Sequence, residues 1–261
     1  MDLSLKTKIA LVCGGSQGIG KAIAIELSNL GASCILLARN EATLLAAVET
    51  LSKENGQQHH FFVVDFTNLD AVREMANQLS ERFSIDILIN NTGGPSAGPI
   101  AAADPTAFEN AFSQHLICNH LFAQALIPSM KSKGWGRIIN VISTSVKIPI
   151  NNLGVSNTIR AAVASWGKTL SNELAPFGIT VNSLLPGFIS TSRLDAVAKS
   201  FAASAGVSNE SMVESMKNSV PAKRFGSPQE IAVVAAFVAS PAASYLNGIT
   251  IPVDGGRTGT I

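Results

Sequence analysis

The chain has 261 residues, of which 46% are hydrophobic and only 14% charged, with a formal net charge of +1 and a single tyrosine. About a quarter charged is usual for soluble domains, so this chain is built to bury surface, in its own core or against partners. So neutral a balance leaves no basic footprint for nucleic acid and no polybasic patch for a membrane. The length suits one or two domains, and α/β folds often reach this size as one. Cys13, Cys34 and Cys118 are widely spaced and make neither a disulfide framework nor a metal-ligand cluster. That pattern points to a reducing, cytoplasmic setting without a bound metal. The longest apolar run, Ile231–Ala239, is about half of what a membrane span needs. The N-terminal apolar stretch is short and runs into a glycine turn, unlike a secretory leader.

In chain order, short segments rich in Val, Ile, Leu or Phe alternate with longer ones of helical spacing. Lys8–Cys13 reads as a strand, Gly20–Leu30 as a helix, Ser33–Ala38 as a strand and Glu41–Lys53 as a helix. Phe61–Val64, Leu69–Arg82, Ile85–Ile89 and Phe108–Met130 continue the alternation, followed by Arg137–Ile142, Val155–Ala175, Thr180–Leu185, Gln229–Ala239 and Thr250–Val253. Buried strands separated by helices predict a parallel sheet covered on both faces. With right-handed crossovers this is an α/β, doubly wound (Rossmann) sheet of about seven strands, forming one domain over residues 1–261. The least regular region, 190–218, is either a lid over a site or a polar helix pair. His59 and His60, before the third strand, read as solvated loop residues.

The first strand ends in Cys13-Gly14-Gly15-Ser16-Gln17-Gly18-Ile19-Gly20 and enters a helix. Gly14, Gly18 and Gly20 let the backbone turn sharply and approach a pyrophosphate, which the helix N-terminus then faces with free N–H groups. Glycines also serve any tight strand–helix turn, but this one lies in the first βα unit, where a dinucleotide binds. The second strand ends in Ala38-Arg39, with no carboxylate for a ribose 2′-hydroxyl. Arg39 suits the 2′-phosphate of NADP(H), with NAD(H) as the alternative cofactor and a solvated helix-start charge as the plain structural role. Asp65, ending the third strand, either accepts from the adenine amino group or caps the next helix.

The glycine spacing resembles the short-chain dehydrogenase/reductases, as do Asn90-Asn91-Thr92-Gly93 after the fourth strand and Pro186-Gly187 after the sixth. So do Arg224-Phe225-Gly226-Ser227-Pro228, Asn247-Gly248 and Asp254-Gly255-Gly256. The resemblance covers nearly the whole chain, and within the family it is most similar to the 3-oxoacyl-acyl-carrier-protein reductases. It implies that Ser16, Gln17, Ile19, Phe66, Asn91 and Gly93 also meet the cofactor, together with Pro186, Gly187 and Ile189.

The family's active site is an asparagine, a serine, and a tyrosine followed four residues later by a lysine. Carried over position by position, Ser143 matches the serine, at the end of Arg137-Ile138-Ile139-Asn140-Val141-Ile142. Ser156 stands where the tyrosine would be, Arg160 where the lysine would be, and His115 in the asparagine slot. Tyr245, the only tyrosine, lies far along the chain before the last strand and cannot take the missing place by any shift of register. Ser156 is shorter than a tyrosine by a phenyl ring and has a much higher intrinsic pKa. Arg160 stays charged and cannot relay a proton, yet it can bind ribose hydroxyls and stabilise a developing alkoxide. His115 titrates near neutrality when solvated, so it is either a general acid or a buried core or interface residue. Lys147 reads as a surface charge.

Two functions fit these residues. One is NADP(H)-dependent hydride transfer between nicotinamide and a carbonyl or alcohol, with a non-standard proton donor and a small carbonyl or acyl-thioester substrate. The other is a catalytically degenerate dinucleotide-binding protein with a regulatory or structural role. Leu116, Leu121, Phe122, Leu126, Val163, Trp166 and Leu170 form a wide apolar stripe on two helices. The stripe predicts a homodimer or homotetramer, in keeping with the family's habit, with a wide core face of the single chain as the alternative.

Overall fold

The computed structural model describes residues 1–259. Seven strands form one all-parallel sheet in the order β3-β2-β1-β4-β5-β6-β7. They are β1 (Ile9–Cys13), β2 (Ser33–Ala38), β3 (His60–Val63), β4 (Ile87–Asn90), β5 (Gly136–Val141), β6 (Ile179–Pro186) and β7 (Thr250–Val253). The strand order reverses between β1 and β4, and such a switch opens a crevice at the carboxyl ends of the strands.

Alternate residues of each strand serve opposite faces. Ala10 and Val12 of β1 pack with α1 (Gly18–Asn29), α2 (Glu41–Val48) and α9 (Pro228–Ala239), through Ile23, Leu27, Leu44 and Ile231. Leu11 and Cys13 pack on the other side with α3 (Leu69–Arg82) and α5 (Cys118–Lys133), through Val72, Leu79, Phe122 and Leu126. Both faces are covered, which explains why strands such as β1 and β2 read as nearly unbroken apolar runs. No helix among the described residues is long and apolar enough to cross a membrane.

Several sequence expectations change. The second helix stops at Val48 rather than Lys53. The Thr50 hydroxyl donates to the Ala47 carbonyl, and the Ser52 N–H turns inward to Ser28 Oγ at 3.0 Å. The segment 108–130 is not one helix: α4 (Pro105–Phe112) passes through a π turn at Ser113–Ile117 into α5. The region 190–218 folds into α7 (Ser192–Ala205) and α8 (Asn209–Asn218), packed together through Leu194, Ala198 and Met216.

His59 is not a solvated loop residue. Its Nδ1 accepts from the Cys34 N–H at 3.0 Å and its Nε2 meets the Ser52 carbonyl at 2.8 Å, so it joins β2 to the loop before β3. Asp65 does not cap α3; Asn68 does, accepting from Ala71 N–H, while Asp65 accepts from Thr67 N–H in a tight local turn. Leu121, Phe122, Leu126 and Val163 are buried within the chain's own core. Only Leu116, Trp166 and Leu170 of the apolar stripe remain partly covered, so most of its width is used inside one chain.

Candidate active site

A cavity of about 580 Å³ opens over the carboxyl edge of the sheet at the strand-order switch. At one end lies the glycine turn. Gly14 holds φ +61°, and a Cβ on Gly20 would stand 2.2 Å from the Gly14 carbonyl oxygen, so neither position accepts a side chain without moving backbone. Asn91 fastens this turn to β4: its amide donates to the carbonyls of Cys13 and Gly14 at 3.2 and 3.3 Å. Asn91 therefore positions the loop as well as lining the cavity.

The helix behind the turn, like α6 (Gly154–Leu174) with Leu153 at its start, lacks a side-chain cap. Side chains of Asn40, Asn68, Asp104, Thr191, Ser208 and Ser227 cap α2, α3, α4, α7, α8 and α9, whereas Gln17 makes no cap for α1. The first N–H groups of α1 are thus left to a ligand, at the positive end of the helix dipole. Ser16, Gln17, Gly18, Ile19 and Arg39 line this end, and Arg39 is exposed with no carboxylate partner among the described residues. Gly20 lies beneath the turn rather than on the cavity wall, and Asp65 is outside the lining while Phe66 is part of it. Uncapped N–H groups, a glycine cradle and a free guanidinium are the donor set that a dinucleotide carrying a 2′-phosphate requires.

Gly93, Pro186, Gly187 and Ile189 form the middle of the cavity wall. Their placement explains the C-terminal motifs. A Cβ on Gly187 would stand 2.6 Å from Asp254 Cβ, and Gly226 N–H donates to Phe188 while its carbonyl accepts from Ser190 N–H. Arg224 clasps Glu230 through two hydrogen bonds of 2.8 and 2.7 Å at the start of α9, fixing the strap that carries Gly226.

Ser143, Ser156 and Arg160 meet at the opposite end of the same cavity. Ser143 follows β5, and its Oγ accepts from Ser145 N–H at 3.1 Å, leaving its own hydrogen to point elsewhere. Ser156 lies on α6 (Gly154–Leu174) one turn before Arg160. Arg160 Nε donates to Ser156 Oγ at 3.3 Å, and its Nη1 donates to the Val141 carbonyl at 3.2 Å. Burial, reinforced by the nearby Arg193, pushes the Arg160 pKa down to about 10, which still leaves it charged at neutral pH. Two hydroxyls and a cation thus border the same cavity, groups of the kind that stabilise a developing oxyanion.

His115 takes a different place from the one a general acid needs. It sits in the π turn, only 4% exposed, and is not part of the cavity wall. Its Nδ1 is 2.7 Å from the Thr92 hydroxyl, which does line the cavity. Burial first, then the Arg160 and Arg193 guanidiniums, push its pKa down to about 3. The imidazole is neutral at physiological pH, which opposes the general-acid role and leaves a support for Thr92. Lys147 is exposed outside the cavity, and Tyr245 is fully exposed.

Sequence reading missed Thr92, Gly94, Thr191 and Arg193, all on the cavity wall. Arg193 opens α7, and its Nη2 donates to the Pro95 carbonyl across the cavity mouth. Its only sequence signal was membership of the segment read as a lid or helix pair.

The fold and the two-ended cavity define an α/β dinucleotide-binding oxidoreductase. Residues 14–258 match a family model described as enoyl-(acyl carrier protein) reductase. The chain is 35% identical over 256 residues to a 3-oxoacyl-[acyl-carrier-protein] reductase of Vibrio harveyi, covering 97% of this chain and 98% of that one. It is 30% identical over 262 residues to the NADPH-dependent reductase BacG of Bacillus subtilis, covering 98% and 100%. Among solved structures, L-sorbose reductase from Gluconobacter frateurii, complexed with NADPH and L-sorbose, superposes with a TM-score of 0.92 at 31% identity over all of both chains. The chain belongs to the short-chain dehydrogenase/reductase family.

Proposed function

We propose that the protein is an NADP(H)-dependent oxidoreductase that interconverts a small carbonyl compound and its alcohol, with Ser156 and Arg160 replacing the usual tyrosine and lysine. The observation that carries this reading is the single cavity joining the uncapped α1 terminus and Arg39 to Ser143, Ser156 and Arg160. A protein that had kept only nucleotide binding would have no need for two free hydroxyls and a guanidinium at the far end. The relatives' printed activities, NADPH-dependent reduction among them, favour the same reading.

Bound NADPH supplies the hydride for the carbonyl carbon. Arg39 and the α1 N–H groups hold the phosphates, and Asn91 keeps the turn in place. As negative charge grows on the carbonyl oxygen, the hydroxyls of Ser143 and Ser156 donate to it and Arg160 stabilises it. Ser156 passes its hydroxyl proton to that oxygen and recovers one from solvent, while Arg160 Nε holds the serine oxygen through the exchange. No group of tyrosine-like acidity is involved, so the chemistry relies on charge stabilisation rather than a matched acid. A reducing, cytosolic setting fits the three buried, unpaired cysteines. Association into a homodimer or homotetramer, with Leu116, Trp166 and Leu170 at the contact, completes the reading.

The test follows NADPH consumption with a panel of ketones and 3-oxoacyl thioesters, in the wild type and in Ser156→Tyr/Arg160→Lys. Turnover of at least one carbonyl is expected. Tight NADPH binding without turnover in either form would sink the reductase reading.

A further inference from the structure

The cavity wall contains Arg39, Arg160 and Arg193 and no aspartate or glutamate. Arg39 belongs to the phosphate end. The other two converge elsewhere: a Cβ built on Gly94 would lie 3.2 Å from Arg160 Nη2, 3.2 Å from Arg193 Nη2 and 3.4 Å from Arg193 Nε. Two guanidiniums therefore approach one point from α6 and from the first turn of α7. Among the described residues, no carboxylate lies within salt-bridge distance of either.

Arg160 is partly buried and Arg193 is exposed beside it, and like charges this close repel one another unless an anion lies between them. The effect is visible in the Arg160 pKa, which Arg193 helps to lower. The local bonds leave each group with free donors. Arg160 uses Nε on Ser156 and Nη1 on Val141, keeping Nη2; Arg193 uses Nη2 on Pro95, keeping Nε and Nη1. The free N–H groups of two planar forks match the two oxygens of a carboxylate.

We propose that Arg160 and Arg193 bind a carboxylate of the substrate, which makes the preferred substrate a short oxo acid rather than a neutral ketone or an acyl thioester. The proposal rests on the oxidoreductase reading and specifies its substrate class. Arg160 touches Ser156 with Nε and faces Gly94 with Nη2, so one guanidinium's width separates the oxyanion donors from the carboxylate site. That spacing suits a carboxyl group one or two carbons from the reacting carbonyl, as in a 2-oxo or 3-oxo acid. Arg193 lines the same cavity from the first turn of α7 and is held toward Gly94 by its bond to the Pro95 carbonyl.

The experiment compares acetoacetate with methyl acetoacetate and with the neutral N-acetylcysteamine thioester, and 2-oxobutyrate with its methyl ester, each with NADPH. For one of the acids kcat/KM should exceed that of its ester by about tenfold or more, because the ester leaves two cations unpaired. Arg193→Met should remove most of that preference, acting mainly through KM, and Arg193→Lys should keep part of it. Calorimetric titration of acetoacetate and 2-oxobutyrate into the NADP-loaded protein gives a readout independent of turnover. Binding of an acid that Arg193→Met abolishes, with no turnover of any compound, supports the carboxylate site and overturns only the oxidoreductase reading. Equal use of acid and ester, an acid preference untouched by Arg193→Met, or turnover of neutral carbonyls without acid binding overturns the carboxylate site and leaves the oxidoreductase reading standing. Neither binding nor turnover of the acids overturns it too. If Arg193→Met weakens NADPH binding as much as it weakens acid binding, the pair serves the cofactor and the proposal is wrong.

Discussion

The two ends of the cavity are built from different materials. At the phosphate end the backbone does most of the binding: a glycine turn, an uncapped helix terminus and Asn91 fastening one to the other, with Arg39 the one charged addition. At the reaction end, side chains from the turn after β5, from α6 and from α7 line the cavity across long sequence separations, and the family resemblance reads two of them, Ser156 and Arg160, as departures while Ser143 matches. Backbone-built sites constrain sequence tightly, because a single Cβ at Gly20 would collide with a carbonyl. Side-chain sites can change chemistry residue by residue while the frame stays. That difference accounts for a recognisable cofactor site beside an altered reaction site.

The comparison breaks most sharply at Arg160. Arg160→Ala should lower kcat by about 10²–10³, the usual loss of an oxyanion donor, while NADPH affinity measured by fluorescence titration falls less than about tenfold. A comparable loss of NADPH affinity would mean the two ends are not separable. Next in size, Gly20→Ala should cost about 3 kcal/mol of stability by overpacking the turn and lower Tm by roughly 6–12 °C. Unchanged melting and NADPH binding would show that the turn yields more easily than its contacts indicate.

Arg39→Asp probes the single side chain at the phosphate end. It should weaken NADPH by about 10- to 100-fold, the worth of a charge-assisted phosphate contact, and improve NADH. Equal binding of both cofactors by the wild type would remove Arg39 from its role. The smallest effect at neutral pH concerns His115. Its folded pKa near 3 lies below the ordinary 6.5, so its neutral form contributes stability that is complete above pH 6.5 and is lost as pH falls toward 3. Over that window the slope is about 1.4 kcal/mol per pH unit. Denaturant titrations of His115→Asn should show a shallower acid slope, and its kcat should fall less than about tenfold, since the imidazole is not at the cavity wall. Abolished turnover with normal folding would restore histidine as the acid.

The strands were legible because β1, β2, β5 and β6 are buried on both faces and so rich in Val, Ile and Leu, even where β5 and β6 bury Arg137, Asn140, Asn182 and Ser183 among them. The C-terminal end of α2 and the π turn at His115 were not legible, because they depend on where Ser28, Cys34 and Thr92 lie in space. Ser52 and His59 are recruited by groups more than twenty residues away. A helix pattern across 108–130 likewise carries no mark of a π turn that rotates one imidazole toward β4.

Composition alone determined that the family's tyrosine could be absent from the site, since Tyr245 is the only one and lies out of register. Local spacing then determined the glycine turn and the strand positions, and the family resemblance singled out Ser143, Ser156 and Arg160. Tertiary structure decided what those substitutions do. It buried His115 behind Thr92, where desolvation and two guanidiniums keep it neutral, and it brought Arg193 of α7 to the Gly94–Pro95 loop across a separation of 98 residues. Charge and burial act through space, and only the folded chain sets those distances.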